Sequence, residues 1–364
     1  MRSPSAPDGM PPGQRALRGR GATDNPSNRF EPLRVIATET WTDPEDPAPR
    51  TVLLRDATRS ILAHNQSPDV GFDTSINPYR GCEHGCIYCY ARPTHEYLGF
   101  SAGLDFETKI LVKEDAPALL RKALMSTRWQ PRPIAMSGVT DPYQPAERRL
   151  RLTRGCLEVL AEFRNPVVIV TKNHLVTRDV DLLGQLATDH AAAVAVSVTS
   201  LRPELQRVME PRTSTPARRL EAIRSLAEAG VPVRAMVAPV VPGLTDEEIP
   251  TILEAVAGAG ATGASYILLR LPHGVKDLFA DWLEAHFPDR KERVLNRVRE
   301  VRSGGLNDPR FRTRMKGEGV YADHIRQLFE AARRRHGLDA DGVELSTAAF
   351  RRPRADGQLG FFDG

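Results

Sequence analysis

From Thr74 onward, short apolar, β-rich runs alternate with longer amphipathic stretches, the pattern of repeated βα units. Six runs read as strands: TSINPY (74–79), PIAMSGV (133–139), PVVIVTK (166–172), AAVAVSVTS (192–200), VPVRAMVAPV (231–240) and ASYILLRL (264–271). The stretches between them read as helices, among them DAPALLRKALM, RGCLEVLAEF, PARRLEAIRSLAEAG and DEEIPTILEAVAGAG, the last two closing on Gly. Strands this apolar along their length are buried on both faces, so the sheet is parallel and curves into most of a barrel. Six units rather than eight predict an α/β fold, a partial (β/α)6 TIM-type barrel over residues 74–274, with C-terminal helices over 275–340.

The flanks lack this periodicity. Residues 1–32 are rich in Pro, Gly, Ser and Arg, which predicts a disordered basic tail. Residues 33–73 read as an N-terminal extension: an extended piece (LRVIATETW), an acidic Pro-rich turn (DPEDPAP) and a helix over RDATRSILAHN. Residues 341–364 turn polar again and read as a flexible tail.

Composition narrows the function classes. The 364 residues carry 50 Lys+Arg against 46 Asp+Glu, a formal charge of +4, so nothing global favours wrapping nucleic acid, although a local patch is allowed. With 41% hydrophobic and 26% charged residues the chain is an ordinary globular protein. Its first thirty residues hold no apolar run of the signal-peptide kind, and no later stretch approaches the roughly 20 apolar residues of a membrane span, which predicts a cytoplasmic protein with no membrane partner. Four cysteines in so long a chain are no disulfide scaffold, and three of them, Cys82, Cys86 and Cys89, crowd into eight residues. In a reducing compartment such crowding points to a metal site.

INPYRGCEHGCIYCYARP places these cysteines in a CxxxCxxC spacing just after the first strand, at the C-terminal rim where barrel active sites sit. Three thiolates on one loop can hold three irons of a 4Fe-4S cluster, leaving the fourth iron open to a non-protein ligand. Gly81 and Gly85 let the backbone fold closely around the metal. The alternative is a structural zinc site, which needs a fourth ligand. His84 is the close candidate, awkwardly placed between Cys82 and Cys86.

CEHGCIYCY after a first strand, followed by further βα units, resembles the radical S-adenosylmethionine (SAM) superfamily over about residues 74–272. The strings INPYRGC…YCYARP, VTDPYQPAE, TKN, EPRTSTPARRLEAIRSLAEAG and APVVPGLTD resemble its spore photoproduct lyase-like branch, whose archetype repairs a thymine-dimer lesion in DNA. The resemblance implies a 4Fe-4S cluster that binds SAM at its unique iron and reduces the sulfonium to methionine and a 5′-deoxyadenosyl radical. It also implies an electron donor such as flavodoxin or ferredoxin.

By motif position Tyr88 should lie beside the SAM adenine, or pack at the rim. Ser137 and Gly138, at the end of the second strand, stand where the superfamily contacts the SAM amino group, here without the familiar Gly-Gly-Glu. Lys172 ends the third strand and either pairs with the SAM carboxylate or is a solvated strand end. Ser197 and Thr199 are candidates for the ribose or carboxylate, with β-propensity the plain account of the Thr. Glu210 and Arg212 either pair at the cavity edge or cap the next helix. Asp141, Tyr143 and Gln144 lie on a Pro-bounded loop where substrate contacts concentrate, although a turn-forming Asp-Pro explains Asp141 as well. Arg270, flanked by apolar residues, needs an anionic ligand or a salt bridge.

One departure bears on the substrate. Spore photoproduct lyases carry a cysteine near the end of the second strand that helps quench the product radical, and AMSGVTD here has none. Either another donor such as a tyrosine takes over, or the reaction is a different one, on nucleic acid, protein or metabolite. Cys156 lies in an apolar helix and reads as packing. Arg-rich segments between Arg293 and Arg335, ending in Arg333, Arg334 and Arg335, form either a phosphate-tracking face or a solvated helix surface. At the C-terminus, Gln358 to Phe362 (QLGFF) resembles the peptide by which repair proteins dock on the DNA sliding clamp. The same apolar residues could instead fold back on the barrel.

Overall fold

The computed structural model describes residues 17, 19–30, 49–340 and 342–353. Along the chain its strands are β1 (Val52–Arg55), β2 (Leu62–His64), β3 (Thr74–Ile76), β4 (Tyr79–Arg80), β5 (Lys109–Val112), β6 (Ile134–Met136), β7 (Val167–Thr171), β8 (Ala192–Ser197), β9 (Val233–Val240) and β10 (Gly263–Leu268). β3, β6, β7, β8, β9 and β10 run parallel, side by side in chain order. A parallel sheet whose strands never reverse order, with a helix after each strand, curls in one direction. The result is a partial TIM barrel, built on the six strands expected from the apolar runs.

The strands are buried on both sides because helices cover the outside and side chains fill the inside. Ile76, Ile134, Ile169, Val194, Val233 and Leu268 are at most 1% exposed and share one core with the apolar faces of the outer helices. Helix Leu152–Phe163 packs on Ala116–Met125, and Val320–Arg335 packs on Ile249–Gly258.

β3 and β10 do not pair with each other, so the barrel stays open and leaves two sheet edges to cover. β2 adds antiparallel to β3. This corrects the helix expected over 55–65: an unpaired edge beside Ile61 and Leu62 overrides local helical spacing. At the other edge Gly263 bridges Asp339, and Ala264 N–H donates to Leu338 O at 3.1 Å.

A second small sheet, order β1-β5-β4, was not foreseen. Its strand β4 delivers the chain into the cysteine segment.

Two flanking expectations change. Residues 19–30 are packed rather than disordered: Ala22 is 1% exposed, and Asn28 Nδ2 donates to Glu96 O and Phe100 O at 2.9 and 2.8 Å. The flexible tail expected from 341 does not begin there, because Phe350 meets the Phe163 ring at 6.3 Å and Arg351 N–H donates to Phe163 O at 2.9 Å. Both segments replace periodic secondary structure with individual hydrogen bonds to distant backbone, which leaves no trace in hydrophobic spacing. The LRVIATETW piece and Gln358 to Phe362 lie outside the described residues.

Candidate active site

The cysteine loop follows β4 at the C-terminal end of the barrel. Cys82 and Cys86 are buried and Cys89 is partly exposed. Backbone bonds fix the loop: Cys82 N–H to Phe106 O at 2.9 Å, Ile87 N–H to Met209 O at 3.1 Å and Cys89 N–H to Cys86 O at 3.2 Å. Arg92 is fully buried beneath it, donating from Nε to Cys86 O at 3.0 Å and from Nη2 to Glu107 Oε1 at 2.5 Å. Glu107, also fully buried, accepts further from Gly21 N–H at 3.0 Å and Ala22 N–H at 2.9 Å. Segment 19–30 is thus strapped across the loop. The approach demands glycine on both sides: a methyl on Gly85 (φ +66°) would sit 2.7 Å from Glu107 Oε2, and one on Gly21 1.8 Å from Gly85 O.

Gln144 braces the loop from the other side, accepting from Glu83 N–H at 2.9 Å and donating to Gly81 O at 3.2 Å. His84 is buried, its Nδ1 3.4 Å from Asp141 and its Nε2 3.1 Å from Asn173 Nδ2. Burial alone would depress the imidazole, but Asp141 and the Cys82 thiol raise it to about 10. Asp141 also accepts from Thr171 Oγ1 and Lys172 N–H, each at 2.7 Å. Asp141 and Gln144 therefore support the loop, and Tyr143 is fully buried, so none of the three stands as a substrate contact.

Over the loop sits Glu210, the centre of a network that the sequence did not reveal. Its Oε1 accepts from the Tyr88 hydroxyl and, at 2.7 Å, from Thr199 Oγ1; Arg219 donates to its Oε2. Burial would raise this carboxyl, yet Arg219 and then Lys172 hold it down at about 2. Of the two readings of Glu210 and Arg212, the mutual pairing is not formed: Arg212 Nη1 reaches Glu83 at 2.9 Å. Lys172 Nζ donates to Ala238 O at 3.0 Å, and its charge also favours the Cys86 and Cys89 thiolates. Ser197 is buried, with its carbonyl accepting from Arg219 at 3.1 Å. Tyr88, Lys172, Ser197 and Thr199 are thus brought together around Glu210.

Ser137 and Gly138 lie apart from that network, beside Tyr90. The Tyr90 hydroxyl donates to Gly138 O at 2.5 Å, and Ser137 Oγ donates to Thr140 O at 3.4 Å. Tyr90 is 50% exposed, and the Arg270 guanidinium lies over its ring at 5.3 Å. Among the described residues Arg270 has no ion-pair partner: Nη1 meets Met315 Sδ at 3.7 Å and buried Nε has no acceptor. Arg314 stands nearby, paired with Asp69, its guanidinium 4.5 Å from the half-exposed Phe311 ring. In the Arg-rich C-terminal helices, by contrast, Arg297, Arg326 and Arg333 pair with acidic residues of their own helices.

Three free thiols on one short loop, Cys82, Cys86 and Cys89, form a donor set of the kind that could hold a polynuclear cluster. Among the described residues no group of three His, Cys, Asp or Glu side chains is already placed to hold a metal ion. Burial pushes the Cys86 and Cys89 thiols up; Glu210 and then the neighbouring thiols push Cys86 further, and Cys82 does so for Cys89. Positive charge favours the thiolates: Lys172 acts on both thiols and Arg92 on Cys89, and a bound metal would add to it.

The sequence model of the radical SAM superfamily matches residues 76–256. A protein of Mycobacterium tuberculosis described as uncharacterized is 40% identical over 248 residues, 67% of this chain and 72% of that one. The chain belongs to the radical SAM superfamily. An uncharacterized protein of Methanocaldococcus jannaschii is 31% identical over 173 residues, 48% of this chain and 62% of that one. In fold, this radical SAM protein is similar to a spore photoproduct lyase complexed with dinucleoside spore photoproduct, with a TM-score of 0.52 and 18% identity over 78% of each chain. Membership implies an enzyme. Among the described residues no helix is long and apolar enough to cross a membrane.

Proposed function

We propose that this protein cleaves SAM reductively and directs the resulting radical at a nucleic-acid substrate. The observation that carries the reading is the placement of Cys82, Cys86 and Cys89 on a braced rim loop directly under the Tyr88–Glu210–Lys172 network. Cys82, Cys86 and Cys89 would hold a 4Fe-4S cluster, which would supply the electron for reductive cleavage of the SAM sulfonium. The residues supply orientation and charge. Lys172 presents an ammonium for the SAM carboxylate, Glu210 holds the Tyr88 ring in place, and the strap and Arg92 keep water from the back of the loop.

A nucleic-acid substrate is supported by the open side of the site. Arg270, which has no ion-pair partner among the described residues, offers a guanidinium for a phosphate over the half-exposed ring of Tyr90, on which a base can stack. Tyr90 also answers the missing cysteine: its hydroxyl meets the end of β6, the place of the absent thiol, and a phenol there can return a hydrogen atom to a product radical. The test uses UV-irradiated oligonucleotides deuterated at thymine, incubated with reduced enzyme and SAM. Deuterium in 5′-deoxyadenosine is expected; 5′-deoxyadenosine formed without deuterium from any nucleic acid would move the substrate to another class.

A further inference from the structure

The barrel is open between β3 and β10, and a buried carboxylate joins the two sides of that opening. On the first side, residues 65–73 link β2 to β3 as a loop folded on itself: Asn65 N–H donates to Asp73 O at 2.7 Å, Asn65 Nδ2 to Phe72 O at 3.1 Å and Ser67 N–H to Asn65 Oδ1 at 2.9 Å. On the second side, residues 303–319 are fastened to β10. Lys316 Nζ donates to Tyr266 O at 2.8 Å, and the buried Arg302 donates to Leu268 O at 2.9 Å and Thr313 O at 3.0 Å. Asp69, its side chain 2% exposed, reaches across the opening. Its carboxylate accepts from Arg312 N–H at 2.6 Å and from Arg314 Nε at 2.5 Å, and Ser67 Oγ accepts from Arg314 Nη2. Among the described residues, these three hydrogen bonds are the ones that tie loop 65–73 to residues 303–319. The tie lies beside the mouth: Met315, next to Arg314 in the chain, meets Arg270 Nη1 at 3.7 Å, and Arg270 covers the Tyr90 ring. Arg312 is strained by it. With φ +68° and ψ −57°, and with Thr313 N–H donating to Phe311 O at 2.9 Å, it forms the rare γ-turn of positive φ.

We propose that Asp69 is the latch of a gate in the side of the barrel, which releases to let a polynucleotide reach Arg270 and Tyr90. For what is admitted, the proposal rests on the nucleic-acid reading above. A polynucleotide continues on both sides of the reacting nucleotide, so it passes into a barrel through an open side without threading its ends. The opening between β3 and β10 is such a side, and the Asp69 bonds span it. Charge lets the ligand work the latch. After burial, the Arg314 charge lowers the Arg270 pKa, so the two guanidiniums act on each other, and the carboxylate that offsets Arg314 is Asp69. A phosphate arriving at Arg270 attracts Arg314 as well and repels Asp69, which weakens the tie. Release also frees the Arg312 N–H and relaxes its strained turn, so opening costs less than the loss of three unstrained hydrogen bonds.

The test compares wild type, Asp69→Asn and Ser67→Ala as anaerobically reconstituted holoenzymes. Asp69→Asn keeps an acceptor for Arg312 N–H but loses the charge; Ser67→Ala removes one acceptor of Arg314 and changes no charge. Two rates are read: trypsin cleavage after Arg312, and association of a fluorescein-labelled single-stranded oligonucleotide followed by stopped-flow anisotropy. Cleavage after Arg312 should rise by about tenfold in Asp69→Asn, the effect of a lost charge-assisted hydrogen bond, and by less in Ser67→Ala. Far-UV circular dichroism, iron content and cleavage at other sites should match wild type in both, which shows that the variants are folded. Association should be faster in both variants. Ser67→Ala decides this arm, because its gain cannot come from electrostatic steering of the oligonucleotide. Equal cleavage after Arg312 in all three proteins would overturn the latch. Faster cleavage with unchanged association in Ser67→Ala would make the tie a structural brace and overturn the gate. Failure of the nucleic-acid reading has a separate sign, an oligonucleotide that binds none of the three proteins, and the trypsin rates then still decide whether Asp69 holds the opening shut.

Discussion

The α-carbon of Gly21 packs against the carbonyl oxygen of Gly85, near enough that an added methyl would sit 1.8 Å from that oxygen. This contact joins the N-terminal strap to the middle of the CxxxC segment. Gly21→Ala should therefore push strap and loop apart, at an overpacking cost of about 1–3 kcal/mol. The measurable outcome is a lower urea midpoint and faster iron loss in air, with unchanged far-UV circular dichroism. Iron retention equal to wild type would mean that the strap plays no part in holding the loop.

His95 gives a pH dependence. The ring is fully buried between Phe100 and Phe106 and bonded through Nε2 to Lys109 O at 3.0 Å; burial lowers its pKa from 6.5 to about 4. Between those values the unfolded chain binds a proton that the folded chain refuses. Stability is then complete above pH 6.5 and falls as pH drops toward 4, by on the order of 3 kcal/mol at most. His95→Gln keeps a donor for Lys109 O and cannot titrate, so its urea midpoint should lose much less than that of wild type between pH 7 and pH 4.5. Parallel losses in the two proteins would refute the assignment.

The barrel was legible because its strands are apolar on both faces: AAVAVS of β8 reads as a buried strand without any tertiary information. The cysteine loop was legible for a different reason, since metal chemistry leaves a spacing signature. Partner choice was not. Glu210 takes Arg219, nine residues on, rather than Arg212, because the helix beginning at Pro216 turns Arg219 inward to a fully buried position. His84, the nearest sequence candidate for a fourth zinc ligand, is turned to Asp141 and Asn173 instead. The strap was hidden in a stretch of Gly, Asn and Pro that also describes disorder. Asn25 and Asn28, which bond to Asp105, Glu96 and Phe100, were the residues that could have marked it.

The mouth residues separate two roles. Arg270→Gln should weaken binding of a single-stranded oligonucleotide and lower the slope of log affinity against log salt by about one, the effect of one lost phosphate contact. Tyr90→Phe should bind the oligonucleotide as wild type does and cleave SAM at a similar rate, but release less finished product for each 5′-deoxyadenosine formed. Anisotropy titrations and product-to-5′-deoxyadenosine ratios check both, and identical behaviour of the two variants would deny the division.

The central claim is that Cys82, Cys86 and Cys89 hold a cluster that breaks SAM. Anaerobic reconstitution, iron and sulfide analysis and quantification of 5′-deoxyadenosine after dithionite reduction test it in one preparation. About four irons per chain and SAM-dependent 5′-deoxyadenosine are expected, with both lost in Cys86→Ala. A colourless wild-type protein with one zinc per chain, or a Cys86→Ala variant with full iron content and cleavage, would contradict it.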